Sequence, residues 1–374
     1  MKVTFLIPSL DYGGSERQLT ALARGMFSGG HDVRVVVFRP GGPFEADLHA
    51  DGVPVLSPGK HHRWDLAGFM VRLAMLLRRD RADVWYSFLG FSNCVATVLK
   101  PILPGVRLVW GVRASNMDLP LYDIPSRLPY WVERRLTRFP DLIISNSHAG
   151  KAHAITRGFP EKKMVVVPNG IDTEKFGPDS QSRLRVRAEW GIGEKEMLVG
   201  LIGRLDPIKD HRTFLSAAAL LAKDHSNVRF VCVGGGADDY RREMTGLSEN
   251  LGLSSKLLWS GSRADMPGVF SALDVACSSS AFGEGFPNVI GEAMACGIPC
   301  VVTDVGDSAR IVADTGIVVP WGQAPALAEA LGQMLERVAA GDSSAGERAR
   351  SRILANFSMD ALLTNTSNAL RTLF

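Results

Sequence analysis

Cysteine is scarce in this chain and unpatterned. There are five, Cys94, Cys232, Cys277, Cys296 and Cys300, an odd number with no C-x-x-C. This argues against a disulfide framework or a thiolate zinc site. Most of the five lie in apolar runs and read as small core hydrophobes of a reducing compartment. The eight histidines contain no H-E-x-x-H, and His61-His62 fall in a loop, so no metal site is expected. No apolar run approaches the ~18 residues of a bilayer-spanning helix. The opening run at 1–10 is too brief for a signal peptide and reads as a buried strand. The expected location is therefore the cytoplasm. Recognition-helix patterns, aromatic stacking motifs and zinc fingers are also missing, which argues against nucleic acid as a partner.

Charge is present but uneven. Residues 1–180 hold 23 Lys+Arg against 17 Asp+Glu, and residues 181–374 hold 19 against 22. Either the first half meets something anionic, such as a membrane surface or a lipid diphosphate, or surface charge is simply scattered. The helix expected over 127–139 brings Leu128, Trp131, Val132, Leu136 and Phe139 toward one face, with Arg134, Arg135 and Arg138 elsewhere. That stripe suits an anionic membrane, or ordinary packing on its own domain.

The 374 residues suggest two domains. The first half alternates strands at 2–8, 33–38, 84–87, 108–112, 142–145 and 165–167 with helices at 15–27, 65–78, 92–99, 127–138 and 147–157. Continuous apolar strands such as Val33-Arg-Val-Val-Val-Phe38 fit a parallel sheet covered on both faces. The alternation restarts after Pro178, with strands at 197–202, 228–233, 257–259, 275–278 and 300–303. Helices are expected at 183–190, 211–223, 240–251, 266–272 and 324–339, with a polar segment near 341–346 before a last helix at 358–373. Two such series predict an α/β protein of two Rossmann-like, doubly wound parallel-sheet domains with a cleft between them.

Chemistry concentrates in Glu284-Gly-Phe-Pro-Asn-Val-Ile-Gly-Glu292. Pro287 suits the first turn of a helix and Gly297 its stop. Glu284 then lies in the loop before the helix and Glu292 inside it, their carboxylates on the order of 10 Å apart. That is long for a glycosidase pair, at roughly 5–9.5 Å. It suits two grips on an elongated ligand with an anion held at the helix N-terminus, the shape of a sugar–diphosphate–nucleoside. Arg204 and Lys209 follow the strand at 197–202 and place two cations at a strand end, for a diphosphate or merely for solvent beside a helix cap. Gly13 and Gly14 permit close backbone approach at the end of the first strand, or simply turn the chain. Gly234-Gly235-Gly236 reads as a turn lining the nucleotide pocket. The glycine spacing is not G-x-G-x-x-G, and the second strand ends in Arg39 rather than an acid, which disfavours a dinucleotide oxidoreductase.

Taken in order, these segments resemble family-4 glycosyltransferases. The resemblance rests on Gly13-Gly-Ser-Glu-Arg17, Ser145-Asn-Ser147, Val167-Pro-Asn-Gly-Ile-Asp172 with Phe176, Gly203-Arg-Leu-Asp-Pro-Ile-Lys-Asp210, the Glu284–Glu292 segment and Phe357-Ser358, and it covers nearly the whole chain. It implies the GT-B fold, with an acceptor-binding domain at 1–180, a donor-binding domain at 181–355 and a final helix at 356–374 returning to the first domain. It also implies retaining transfer of a hexosyl or N-acetylhexosaminyl group from a nucleotide-diphosphate sugar, by default a UDP-sugar, to an acceptor hydroxyl, with no cofactor. The basic first half points to a lipid-linked or growing polysaccharide acceptor at the inner membrane face. Glu284 would bind donor-sugar hydroxyls and Glu292 the ribose. Phe286, Pro287, Asn288 and Val289 would meet sugar or phosphate at the helix start, and Arg204 and Lys209 would neutralise the leaving diphosphate. The chain has no Asp-x-Asp, consistent with metal-independent transfer. It departs from the family at Arg113, where many members carry His, and at Gly306-Asp307-Ser308. Arginine cannot act as a base, so Arg113 suits a phosphate clamp, with Asn116 and Asp118 as further acceptor-side candidates. A sugar-nucleotide epimerase and an inactive nucleotide-sugar-binding subunit are the alternatives.

Overall fold

The computed structural model describes residues 1–59, 65–113 and 131–374. Among them the chain forms two compact units, Met1–Gly170 with Met359–Phe374, and Ile171–Ser358. Asn116, Asp118 and Leu128 lie outside the described residues.

The first unit is built on a seven-stranded, wholly parallel sheet in the order β3-β2-β1-β4-β5-β6-β7. Its strands are β1 (Lys2–Ile7), β2 (Asp32–Val37), β3 (Val55–Leu56), β4 (Val84–Phe88), β5 (Arg107–Val112), β6 (Leu142–Ser145) and β7 (Met164–Val166). Side chains alternate between the two faces with period two. Phe5, Ile7, Val35, Tyr86 and Phe88 pack with Leu19 and Leu22 of α1 (Gly14–Ser28), Leu48 of α2 (Pro43–Ala50) and Leu362 and Leu370 near the chain end. Leu6, Val36, Trp85 and Trp110 face the other way. They pack with Phe69, Leu73 and Leu77 of α3 (Leu66–Asp80), Val95 and Leu99 of α4 (Gly90–Leu99) and Ala154 of α5 (His148–Thr156). Both faces are dry, which is why these strands read as unbroken apolar runs.

The second unit carries a six-stranded parallel sheet, β10-β9-β8-β11-β12-β13. Its strands are β8 (Met197–Ile202), β9 (Val228–Val233), β10 (Leu257–Gly261), β11 (Val275–Ser278), β12 (Cys300–Thr303) and β13 (Ile317–Val319). One face is covered by α6 (Ser180–Glu189), α9 (Met266–Ala272), α10 (Asn288–Ala295) and α13 (Ser344–Asn356) through Val186, Phe270, Met294 and Ile353. The other is covered by α7 (His211–Asp224) and α12 (Ala324–Ala339) through Phe214, Leu221, Leu331 and Met334. Between these elements lie α8 (Asp238–Asn250) and α11 (Ser308–Val312). The chain enters at Ile171 and leaves at Ser358 side by side, Ile171 N–H donating to the Phe357 carbonyl at 2.7 Å. The last helix, α14 (Met359–Arg371), belongs to the first unit.

Most elements fall within a few residues of the positions expected from periodicity. Four short ones, α2, β3, α11 and β13, were not expected. The segment at 341–346 is no plain linker either, because α13 begins within it. Cys232, Cys277, Cys296 and Cys300 are buried free thiols, and burial pushes Cys300 up to about 12. No helix among the described residues is long and apolar enough to cross a membrane.

The sheet of the second unit is held at its base by Asp274. Its carboxylate accepts from Arg183 Nη2 at 2.6 Å, Arg187 Nη1 at 3.1 Å and the Leu198 N–H at 2.6 Å, tying α6 and the start of β8 to the entry of β11. Arg187 is buried. Removing one partner of a buried pair leaves the other charge uncompensated, at a cost of about 3–5 kcal/mol. Asp274→Ala is therefore expected to destabilise the chain by about that amount, read as a lower midpoint in urea unfolding. Asp239→Ala, which removes only an exposed pair with Arg242, should leave the midpoint unchanged within error.

Candidate functional site

In the second unit most of the candidate residues sit on loops leaving the C-terminal ends of parallel strands, where open α/β sheets bind ligands. After β8, Asp206 caps the Ile208 N–H at 3.0 Å in the turn Pro207–Lys209. Asp210, in the left-handed region, then caps α7 by accepting from the Thr213 N–H at 3.1 Å and its hydroxyl at 2.5 Å. Two aspartate caps four residues apart therefore fix the backbone on either side of Lys209.

The neighbouring loops are stitched to this turn. After β9, the Gly234-Gly235-Gly236 backbone crosses the 203–205 loop, with Leu205 N–H donating to the Gly235 carbonyl at 2.8 Å. A Cβ on Gly234 would lie 1.9 Å from the Gly203 carbonyl oxygen, so only glycine allows that crossing. After β11, the Ser279 hydroxyl donates to the Lys209 carbonyl at 2.8 Å, and Ala281 N–H to the Ile208 carbonyl at 2.9 Å. After β12, the Thr303 hydroxyl donates to the Ser280 carbonyl at 2.7 Å, and Asp307 N–H to the Gly285 carbonyl at 2.9 Å. Gly306 adopts φ +63°, and a Cβ there would meet the Glu284 carbonyl oxygen at 2.6 Å. The departure at Gly306-Asp307-Ser308 thus forms the seat of the Glu284 loop.

Within this framework Lys209 Nζ donates to Glu284 Oε1 at 2.5 Å, and the Ser280 hydroxyl donates to the same oxygen at 2.8 Å. Both charged side chains are largely shielded, at 17% and 12% exposure. Arg204 lies in the same loop but is 75% exposed, its guanidinium 3.5 Å from Asp206. The structure therefore brings Lys209 to Glu284 and leaves Arg204 in solvent. Glu292, on the fifth residue of α10, is buried. Pro287 is the residue before the helix rather than in its first turn. The Phe286 ring turns into the core, 5.4 Å from the Phe357 ring, so the segment offers a ligand its backbone and the half-buried Asn288 and Val289.

His211 was not anticipated. It is fully buried, with the Trp259 ring centroid at 6.4 Å and that of Tyr240 at 5.9 Å, and neither ring nitrogen has a partner. Burial, assisted by the adjacent Lys209 charge, lowers it to about 4, so the ring is neutral at physiological pH. No sequence signal separates it from any histidine opening a helix.

The first unit presents a second constellation at its strand ends. Gly13 precedes α1 and Gly14 opens it, with no side-chain cap. Gln18 of α1 clamps Gly170, donating to its carbonyl at 2.8 Å and accepting its N–H at 3.0 Å. Arg113 leaves β5 with its guanidinium 4.0 Å from the Phe88 ring centroid. It donates to the Tyr86 hydroxyl at 2.9 Å and, weakly, to Asn169 Oδ1 at 3.4 Å. Its Nε is buried without a partner, and among the described residues no carboxylate pairs with it. Burial lowers the Arg113 guanidinium from its ordinary value and raises the Tyr86 hydroxyl, while each group partly offsets the other's shift. The group can hold an anion or stabilise charge, but it cannot take a proton.

Comparison with known proteins fits this geometry. A family model described as Glycosyltransferase Family 4 matches residues 12–175, and one described as Glycosyl transferases group 1 matches residues 196–337. A D-inositol 3-phosphate glycosyltransferase from Mycobacteroides abscessus is 30% identical over 247 residues, 64% of this chain and 54% of the relative. A GDP-mannose-dependent alpha-(1-6)-phosphatidylinositol monomannoside mannosyltransferase from Mycolicibacterium smegmatis is 28% identical over 212 residues, 54% of this chain and 55% of the relative. The chain thus spans about half the length of these curated relatives. Among solved structures, Anabaena HepE in complex with UDP superposes with a TM-score of 0.87 at 24% identity, covering 100% of both chains. Sucrose-phosphate synthase from Thermosynechococcus elongatus gives 0.81 at 20% identity, covering 100% of this chain and 99% of the other. These likenesses establish a GT-B fold. With its two units matched in order by the two models, the chain belongs to the group 1 glycosyltransferases, family 4.

Proposed function

We propose that the protein is a retaining, metal-independent transferase. On this reading it moves a hexosyl or N-acetylhexosaminyl group from a UDP-sugar to a hydroxyl of a lipid-linked or growing polysaccharide acceptor at the cytoplasmic face of a membrane. The observation that carries the reading is the Lys209–Glu284 pair, set by stitched strand-end loops, with Glu292 buried in the helix that follows. UDP as donor nucleotide is supported by HepE, which was solved with UDP and with UDP-glucose. The GDP-mannose dependence of one relative makes GDP-sugars the necessary comparison.

In this reading the second unit holds the donor. Glu292 accepts from the ribose hydroxyls, Glu284 takes hydroxyls of the donor sugar, and the backbone N–H groups at the start of α10 meet the phosphates. Lys209, with Arg204 swinging in from solvent, neutralises the diphosphate as it leaves. The bond between the anomeric carbon and the phosphate oxygen breaks, and a bond to the acceptor oxygen forms on the same face. The acceptor proton passes to the departing phosphate oxygen, so no protein base is required, which agrees with an arginine at position 113. The first unit takes the acceptor, with Arg113 on the strand end that would receive it, while Gly13 and Gly14 are proposed as donor-binding positions. Asn116 and Asp118 complete that list as proposed contacts.

Two outcomes test this. Lys209→Ala should lower kcat for UDP release from UDP-glucose or UDP-N-acetylglucosamine by about 10²–10³-fold, the range for losing one fixed donor aimed at developing charge, while circular dichroism stays that of the wild type. Glu284→Gln should lower kcat/KM with a smaller change in affinity for UDP alone. A melting temperature that falls with turnover unchanged would make the pair a structural bond only. Mass analysis of the products separates transfer from an isomerised donor (the epimerase), and tight UDP-sugar binding without turnover identifies the inactive module. Separately, Gly306→Ala should cost about 1–3 kcal/mol by forcing a left-handed alanine against the Glu284 carbonyl. It should also weaken UDP-sugar binding measured by calorimetry more than binding of UDP.

A further inference from the structure

The two helical layers of the first unit have different surfaces. The layer of α1, α2 and α14 exposes no large apolar side chain on its helices among the described residues, and only Tyr12 and Phe374 beside them. The opposite layer, of α3, α4, the helical stretch at 131–136 and α5, exposes Val71 and Met75 from α3, and Val98 and Ile102 from α4 and the turn after it. Trp131 emerges from the third stretch and Phe139 from the turn after it. Trp131 is 66% exposed, and Val71 and Val98 are each 58% exposed. Of the 128–139 stripe, Leu136 packs against the core, while Trp131, Val132 and Phe139 stay exposed.

The charges on this layer are one-sided. Arg78, Arg79, Arg134, Arg135 and Arg138 are exposed. The carboxylates on the same elements are withdrawn. Asp80 is buried under Arg34, Lys2 and Thr4, and Glu133 is buried against Asn93 and Arg157. Asp65 is half-buried and held by Arg72. Among the described residues of these elements no acid is exposed. A surface both apolar and uniformly cationic is costly in water. A second copy could not relieve it, since a two-fold interface would set these arginines against their own equivalents. A bilayer of anionic lipid satisfies both properties. Tryptophan and aliphatic side chains enter the headgroup boundary while guanidinium groups meet lipid phosphates.

We propose that this α3–α4–131 layer is the surface on which the protein docks to an anionic membrane. The inference sharpens the reading of a membrane-borne acceptor by assigning the face and the lipid charge, but the docking itself does not depend on which sugar is moved. The test is co-sedimentation of the full chain with vesicles of phosphatidylglycerol and phosphatidylcholine, against vesicles of phosphatidylcholine alone. The wild type is expected to bind the first, bind the second weakly, and be released by salt. Arg134→Gln with Arg135→Gln should weaken binding by roughly fivefold per arginine removed. Trp131→Ser should weaken it at every lipid composition, and both variants should keep wild-type melting temperature and UDP release in vesicle-free buffer. Equal binding to charge-free vesicles, binding unaffected by either variant, or a dimer in solution that Trp131→Ser converts to monomer would each overturn the proposal. Charge-dependent docking in a protein that turns over no nucleotide sugar would uphold this surface and overturn the donor reading alone.

Discussion

The ammonium of Lys209 and the carboxylate of Glu284 neutralise each other where both are largely withdrawn from water, and the strand-end loops of the second unit are arranged around that contact. Either charge alone would be expensive at such a site. Together they are tolerable because the Ser280 hydroxyl adds a second donor to the same carboxylate oxygen, and because the backbone beneath them cannot drift. Ser279 pins the Lys209 carbonyl, Thr303 pins Ser280, and Gly306 lets the next loop lie against Glu284. On the proposed reading an arriving diphosphate competes with Glu284 for Lys209, and donor hydroxyls compete with Lys209 for Glu284. One ligand would thus replace one salt bridge at both ends.

What the sequence made legible follows from which physical signals are local. Parallel strands buried on both faces announce themselves as apolar runs, so β8, β9, β11 and β12 could be placed to the residue. Two-residue β3 and three-residue β13 are too short to carry a period. The α13 segment was hidden by Gly341, Ser343, Ser344 and Gly346. Yet Ala345, Ala349 and Ile353, all buried at helical spacing, held the contrary signal. Gly346 sits inside that helix because its backbone presses on the Gly297 carbonyl, where a Cβ would lie 2.1 Å away.

The site was legible as a set of residues but not as a set of contacts. Lys209 and Glu284 are 75 positions apart, and nothing in either segment says that they meet. The five-residue spacing of Arg204 and Lys209 suggested a cation pair. In the structure the turn between two aspartate caps directs Lys209 inward and leaves Arg204 outside. His211 illustrates the limit from the other side. Its burial between Trp259 and Tyr240 depends on three separate elements, so only tertiary structure reveals a neutral imidazole beside the lysine.

The return of α14 to the first unit governs how the chain matures. Leu362 and Leu370 belong to the same apolar cluster as Phe5 and Val35, and Gly25 of α1 leaves room for Leu363. The unit synthesised first therefore lacks part of its core until residues 359–370 emerge. The contiguous second unit, 171–358, has every strand and helix it needs before then. During synthesis the later-made unit is therefore complete in sequence before the earlier-made one, which waits for α14.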